Sequence, residues 1–175
     1  MPRFVSDVQR EVYKRVARVM LEQFGDRVEA SMDVAVLSVA VGSASVDVSV
    51  RPWRDDALIA VRSVLITGVR LEHALYDFLL HENNKLDVGA FGIGDRGEVV
   101  FSHTILGSTC ESRDLRASVW SVMNVADQYD DRIQEHWGGQ CAIDRKLAQQ
   151  VEVQVDRTAC TVDETVQFSG DLLDP

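Results

Sequence analysis

Between Val36 and Ile66 the chain runs through three β-type stretches rich in valine, separated by turns too short for a crossover. The first run, VLSVAV from Val36 to Val41, meets Gly42 and Ser43. The second, SVDVSV, puts Val46, Val48 and Val50 on one face and Asp47, Ser49 and Arg51 on the other. A wider turn from Pro52 to Asp56 leads to ALIAVRSVLI. There Ile59, Val61 and Leu65 share one face, and Leu58, Ala60 and Val64 share the other with Arg62. Parallel neighbours need a long crossover, so three strands joined this way form an antiparallel meander. Helices packed on one side of such a sheet leave its other face partly open.

Helical periods surround the meander. From Phe4 to Phe24, Val5, Val8, Val12, Val16, Val19 and Phe24 recur at helical spacing, with Arg10, Glu11, Lys14 and Arg15 mostly between them. Gly25 stops this helix. Valine is a mediocre helix former, so the segment depends on packing its valine stripe against something. After Gly68, a second and shorter helix is marked by Leu71, Leu75, Phe78 and Leu79. VGAF, the turn GIGDRG and the returning strand EVVFSHTI form a hairpin, with Val99, Phe101, His103 and Ile105 on one face of its second strand. Ser112 suits the N-cap of a last helix in which Leu115, Val119, Val122, Ala126, Tyr129 and Ile133 repeat at four-three spacing. Gly138 and Gly139 end it. The order is α-β-β-β-α-β-β-α, an α+β domain with an antiparallel sheet over residues 1–139. Residues 140–175 read as an acidic extension, partly helical or loosely held.

Charge narrows the partners. The net charge is −10, which disfavours nucleic acid and anionic membrane surfaces, since both demand a basic face. No apolar run approaches the roughly 18–20 residues of a membrane helix. The N-terminus is charged throughout and lacks the apolar centre of a signal peptide. Cys110, Cys141 and Cys160 are odd in number and share no CxxC spacing, which suits thiols in a reducing compartment. The expected setting is cytoplasmic.

The chemistry-bearing strings resolve into structure. Gly92, Gly94 and Gly97 satisfy G-x-G-x-x-G, but a dinucleotide site needs that motif between a strand and a helix. Here a strand follows at once, so the glycines read as a hairpin turn whose tightness requires positive φ. His73, His81, His103 and His136 lack zinc-ligand spacing. Asp127, Asp130 and Asp131 crowd one side of the last helix, beside Arg132, as a solvated acidic face. No nucleophile elbow or phosphate loop is present, and nothing near Cys110 in sequence would activate it. The reading is a non-catalytic module without cofactor or metal. Trp137, followed directly by two glycines, reads as a structural pin, while Trp53 is balanced between structure and binding.

Three stretches carry a resemblance. They are SVRPWRDDALIAVRSV from Ser49, LLHENNKLDVGAFGIGDRGEVVFSHTILG from Leu79, and VADQYDDRIQEHWGG from Val125. Together they resemble the YbjN-related, type III secretion chaperone-like (CesT/YopN-type) family of peptide-binding proteins. In that family a Leu-Leu-x-Glu-Asn-x-x-Leu helix end runs into a Gly-Ala-Phe strand. The last helix carries an Asp-Asp run before an aromatic-Gly-Gly end. This chain departs in its ESRDL helix start, where members often show Asp-Pro-Glu-Glu-Leu, and the resemblance stops at Gly139.

The resemblance implies the type III secretion chaperone fold. It also implies a protein or peptide client of unknown identity, and often a homodimer. Val12 and Val16 on the first helix, Val48 and Ile59 on the meander, and Trp53 are the candidate peptide-binding residues; core packing is the competing use of the four aliphatic ones. A small-ligand sensor or an enzyme using the cleft beside the hairpin is the alternative.

Overall fold

The computed structural model describes residues 2–31, 33–42 and 44–141. Of the expected extension over residues 140–175, only Gln140 and Cys141 are described, and the rest lies outside the described residues. Helix α1 spans Asp7–Phe24, with the Ser6 side chain accepting the Gln9 amide as its N-cap. It starts three residues later than the valine stripe suggests, which leaves Val5 outside the helix; Val5 and the first-turn Val8 are exposed while Val12, Val16 and Val19 are buried. Strand β1 (Val28–Ala30) precedes the meander of β2 (Val36–Val41), β3 (Ala44–Trp53) and β4 (Asp56–Thr67). Helix α2 (His73–Asn83), strands β5 (Ala90–Ile93) and β6 (Val99–Leu106), helix α3 (Ser112–Trp137) and the two-residue β7 (Gln140–Cys141) follow.

All strand pairings are antiparallel, in the order β1-β2-β3-β4-β6-β5, with β7 paired to β4. Ile66 pairs with Val99 on one side and Cys141 on the other, so β7 continues the β3 side of β4. The expected α-β-β-β-α-β-β-α order holds with two short strands added, β1 after α1 and β7 after α3. They were not anticipated because two or three residues carry no readable period.

Helices α1 and α3 cover one face of the sheet and α2 packs beside β5. The alternation sets the core: Leu37, Val39, Val46, Val48, Val50, Ile59, Val61 and Phe101 all point under the helices. The opposite face carries Asp47, Ser49, Arg51, Ala60, Arg62, Ser102 and Thr104 in lateral register, such as Ser49–Ala60–Thr104. There the Ser38 hydroxyl donates to Asp47 at 2.6 Å, and Arg62 pairs with Glu98 at 3.3 Å.

Two local expectations change. The cap of α3 is Glu111, not Ser112: its carboxylate accepts the Asp114 amide while Asp114 accepts the Glu111 amide, a reciprocal capping box. The hairpin is as expected, with Gly94 N–H donating to Glu98 O and Gly97 N–H to Gly94 O. Of its three glycines, however, only Gly97 has positive φ, at 79°. At Gly94 a Cβ would meet only the Glu98 carboxylate, the movable end of a flexible side chain, so neither space nor backbone demands glycine there.

Candidate functional site

The motif residues that look most like a site turn out to join elements. At the end of α2, Asn83 accepts the Phe91 amide at 2.7 Å and donates to the Phe91 carbonyl at 3.2 Å. Its side-chain amide therefore pairs with β5 as a neighbouring strand would. Glu82, 6% exposed, accepts the Tyr129 hydroxyl at 2.7 Å and the Lys85 ammonium at 2.8 Å, tying α2 to α3. A run of rings reinforces this join. Trp137 meets Phe78 at 5.1 Å, Phe78 meets Tyr129 at 6.3 Å, Tyr129 meets Phe91 at 4.9 Å and Phe91 meets Phe101 at 5.0 Å. Arg132 lies over both Phe78 and Tyr129. Trp137 thus has the structural role expected of it.

The Lys85 ammonium and then the Tyr129 hydroxyl hold the Glu82 carboxyl below the usual carboxylate range. Burial first, and the carboxylate second, push the Tyr129 hydroxyl up, so it remains the donor. A carboxyl whose folded pKa is lowered contributes stability that is fully present above its unfolded value, near 4.3, and is lost as pH falls through the folded value. Glu82→Gln is therefore expected to cost about 1–2 kcal/mol near pH 7, the difference between a charged and a neutral hydrogen-bond acceptor. In urea titrations across pH, that gap should close as acid protonates the wild-type carboxyl. A gap that widens in acid excludes this account.

The acidic run of α3 is only partly the solvated face expected of it. Asp127 and Asp131 are exposed, but Asp130 is 4% exposed and accepts the Asp131 amide at 2.7 Å. Among the described residues no group of three or more His, Cys, Asp or Glu side chains is placed to hold a metal. Cys110 and Cys141 are buried, and burial pushes the Cys110 thiol up, away from nucleophilic use. No helix among the described residues is long and apolar enough to cross a membrane.

Two surface features remain. The first is a groove beside α1. Val8 and Val12, with Asp7, Glu11, Lys14, Arg15 and Arg18, line its one side and Ser108 the other, around a space of about 590 Å³. It continues past Arg15 and Ser108 along Thr109, Cys110, Glu111, Ser112 and Arg113. Gly107 closes the floor, where a Cβ would meet the Ala57 carbonyl at 2.7 Å and the Val12 methyls at 3.1 Å. Arg15 donates to the Gly107 carbonyl. Hydrogen bonds from Ser108 and the Ala57 amide hold the Asp56 carboxyl below its usual range and fix the β3–β4 turn to this loop.

The second feature is the outer edge of β6. Strand β5 pairs only with Val99–Ser102, so His103–Leu106 has no strand partner on that side among the described residues. Gly107 N–H donates to Ala57 O at 2.6 Å. In an antiparallel ladder inward-bonded residues alternate with outward ones. Counting back from Gly107, His103 and Ile105 bond inward to β4, while Thr104 and Leu106 turn their amides to the open edge. The cleft beside the hairpin lies on the other sheet face. It is about 580 Å³ and is lined by Arg51, Arg62, Arg96, Asp95 and Glu98 over Ser49, Ala60, Ser102 and Thr104.

Val12, Val16, Val48 and Ile59 are each at most 4% exposed. As surface contacts they need correction: α1 covers the sheet face to which Val48 and Ile59 belong, and Val12 and Val16 are the residues it packs there. A client cannot touch them without lifting α1. Trp53 is exposed at the end of β3, with Arg54 over its ring at 5.0 Å. Sequence reasoning missed both the groove and the edge. The groove's residues lie some ninety positions apart, as in the Arg15 contact to Gly107, and the edge depends on β5 being four residues shorter than its partner.

A family model described as T3SS (YopN, CesT) and YbjN peptide-binding chaperone 1 matches residues 10–145. Among solved structures, the chain is similar to that of the ExsC-ExsE complex. The TM-score is 0.57 at 12% identity, over 73% of this chain and 97% of that one. It is also similar to a structure of the Yersinia pestis type III secretion chaperone SycH in complex with a stable fragment of YscM2. There the TM-score is 0.50 at 12% identity, over 67% of this chain and 98% of that one. No curated protein sequence matches.

Proposed function

Because the chain belongs to the family of T3SS and YbjN peptide-binding chaperones, we propose that it is a non-catalytic module that pairs an extended client segment with the open edge of β6. The observation that carries this reading is the half-covered strand, in which Thr104 and Leu106 present backbone groups past the end of β5. An added strand takes affinity from such main-chain groups and specificity from neighbouring pockets. The groove starts where this edge ends, at Gly107. The similar structures are complexes of two proteins, which supports a protein or peptide partner.

A proline at an edge position removes an outward N–H and spares the inward ladder. Thr104→Pro should therefore keep the fold, with Tm within about 3 °C of wild type. Its binding of a permanently unfolded, carboxymethylated reporter protein, followed by fluorescence anisotropy, should fall at least about tenfold, a loss of 1.4 kcal/mol or more. Wild-type binding in a folded Thr104→Pro variant rules out edge pairing.

We further propose a homodimer through α2, whose outward face carries Tyr76 and Leu80, the latter 63% exposed. Exposed apolar side chains one turn apart, with Leu71 just ahead of the helix, suit a self-complementary contact. Leu80→Glu should sediment as a monomer under conditions where the wild type dimerises. The odd number of cysteines, without CxxC spacing, supports a reducing, cytoplasmic setting.

A further inference from the structure

We infer that the groove beside α1 selects client segments whose apolar residues are flanked by carboxylates, an inference that rests on the peptide-binding reading above. A net charge of −10 gives the chain as a whole the opposite preference. The groove departs from that average through the way its charges are used.

Lys14, Arg15 and Arg18 of α1 and Arg113 of α3 face Asp7, Glu11 and Glu111 around it. All three carboxylates are already engaged. Asp7 pairs with Arg10 at 2.7 Å and Glu11 with Lys14 at 2.7 Å, while Glu111 accepts the Asp114 amide in the capping box. That same box closes the N-terminus of α3 to an outside anion. Among the cations, Lys14 is answered by Glu11 and Arg15 is spent on the Gly107 carbonyl. Arg113 touches Asp114 only at 3.8 Å, and Arg18 makes no ion pair among the described residues. A ligand entering the groove therefore meets two guanidinium groups with charge to offer against one carboxylate, Glu111, that is held by an amide rather than a cation.

The floor complements this. Val8 is 42% exposed and stands over the buried Val12, so apolar client side chains gain by covering them. Rim charges add little affinity each but discriminate between partners, because a basic flank is repelled where an acidic one is drawn in. Guanidinium groups keep their charge across the working pH range and take carboxylates in bidentate geometry.

The test uses the full chain and two fluorescein-labelled peptides with identical valines and leucines, one carrying glutamates between them and the other lysines. The glutamate peptide should bind about tenfold more tightly at low salt, with the margin shrinking as salt is added. Arg18→Glu with Arg113→Glu should invert the preference, and Arg18→Gln with Arg113→Gln should abolish it. Both positions are exposed, so thermal melts should be unchanged. Equal affinity, or preference for lysine, overturns the inference and leaves peptide binding standing. Failure of wild type to bind either peptide or the unfolded reporter overturns both. A charge-reversed variant that loses dimerisation and keeps its peptide preference assigns the groove to a second copy, and the inference fails.

Discussion

Gly139→Ala is expected to lower the unfolding free energy by roughly 2–5 kcal/mol in urea titrations, whereas Gly138→Ala next to it should cost about 1 kcal/mol. Both glycines have positive φ, 72° at Gly138 and 94° at Gly139, a backbone region that L side chains rarely adopt, so both substitutions carry a backbone cost. Only the second also collides. A Cβ at Gly138 meets nothing within 4 Å, while at Gly139 it meets the Ile66 methyl at 2.5 Å, the Thr67 carbonyl at 2.7 Å and the Val69 amide nitrogen at 3.1 Å. Two of these three are backbone atoms and cannot swing aside as a side chain would. The reason for the approach is that α3 hands the chain directly to β7. Arg70 N–H donates to Trp137 O at 3.0 Å, and Gln140 and Cys141 pair with β4. The difference between the two variants isolates the steric part from the backbone part. Equal costs would mean that β7 is not held against β4.

This contrast bears on what the chain's letters reveal. Alternation over Val36–Ile66 names the residues that share a face and, with short turns, fixes antiparallel pairing. It does not say which face the helices cover. For that reason Val48 and Ile59 stood equally as core or as contact until α1 and α3 were placed over them. Glu82 and Asn83 were legible as a motif but not as a join. Their partners Tyr129 and Phe91 lie 47 and 8 positions away, and no local period reports such bonds. Asp130 looked like its neighbours in a solvated run, although helix geometry turns it inward. The groove and the β6 edge are consequences of where elements stop, and element ends are the least readable feature of a sequence.

Phe101→Ala should cost about 3–5 kcal/mol, the range for deleting a fully buried aromatic ring. Phe101 is the largest of the fully buried side chains and the last ring of the run that starts at Trp137. Removing it leaves a cavity against Phe91 and takes away the anchor of β6 beneath α3. Phe78→Ala, at a half-buried ring in the same run, should cost less because solvent and Arg132 can relax into the space. The position of Phe101 also makes the variant informative about binding. It lies two residues before the open edge begins, so loosening it should blur the edge and weaken reporter binding together with stability. Thr104→Pro is expected to separate those effects, losing binding with the core intact. If Phe101→Ala proves as unstable as expected yet, held folded at low temperature, binds the reporter at full strength, then the geometry of β6 does not govern recognition. The edge would then have to be abandoned as the client site.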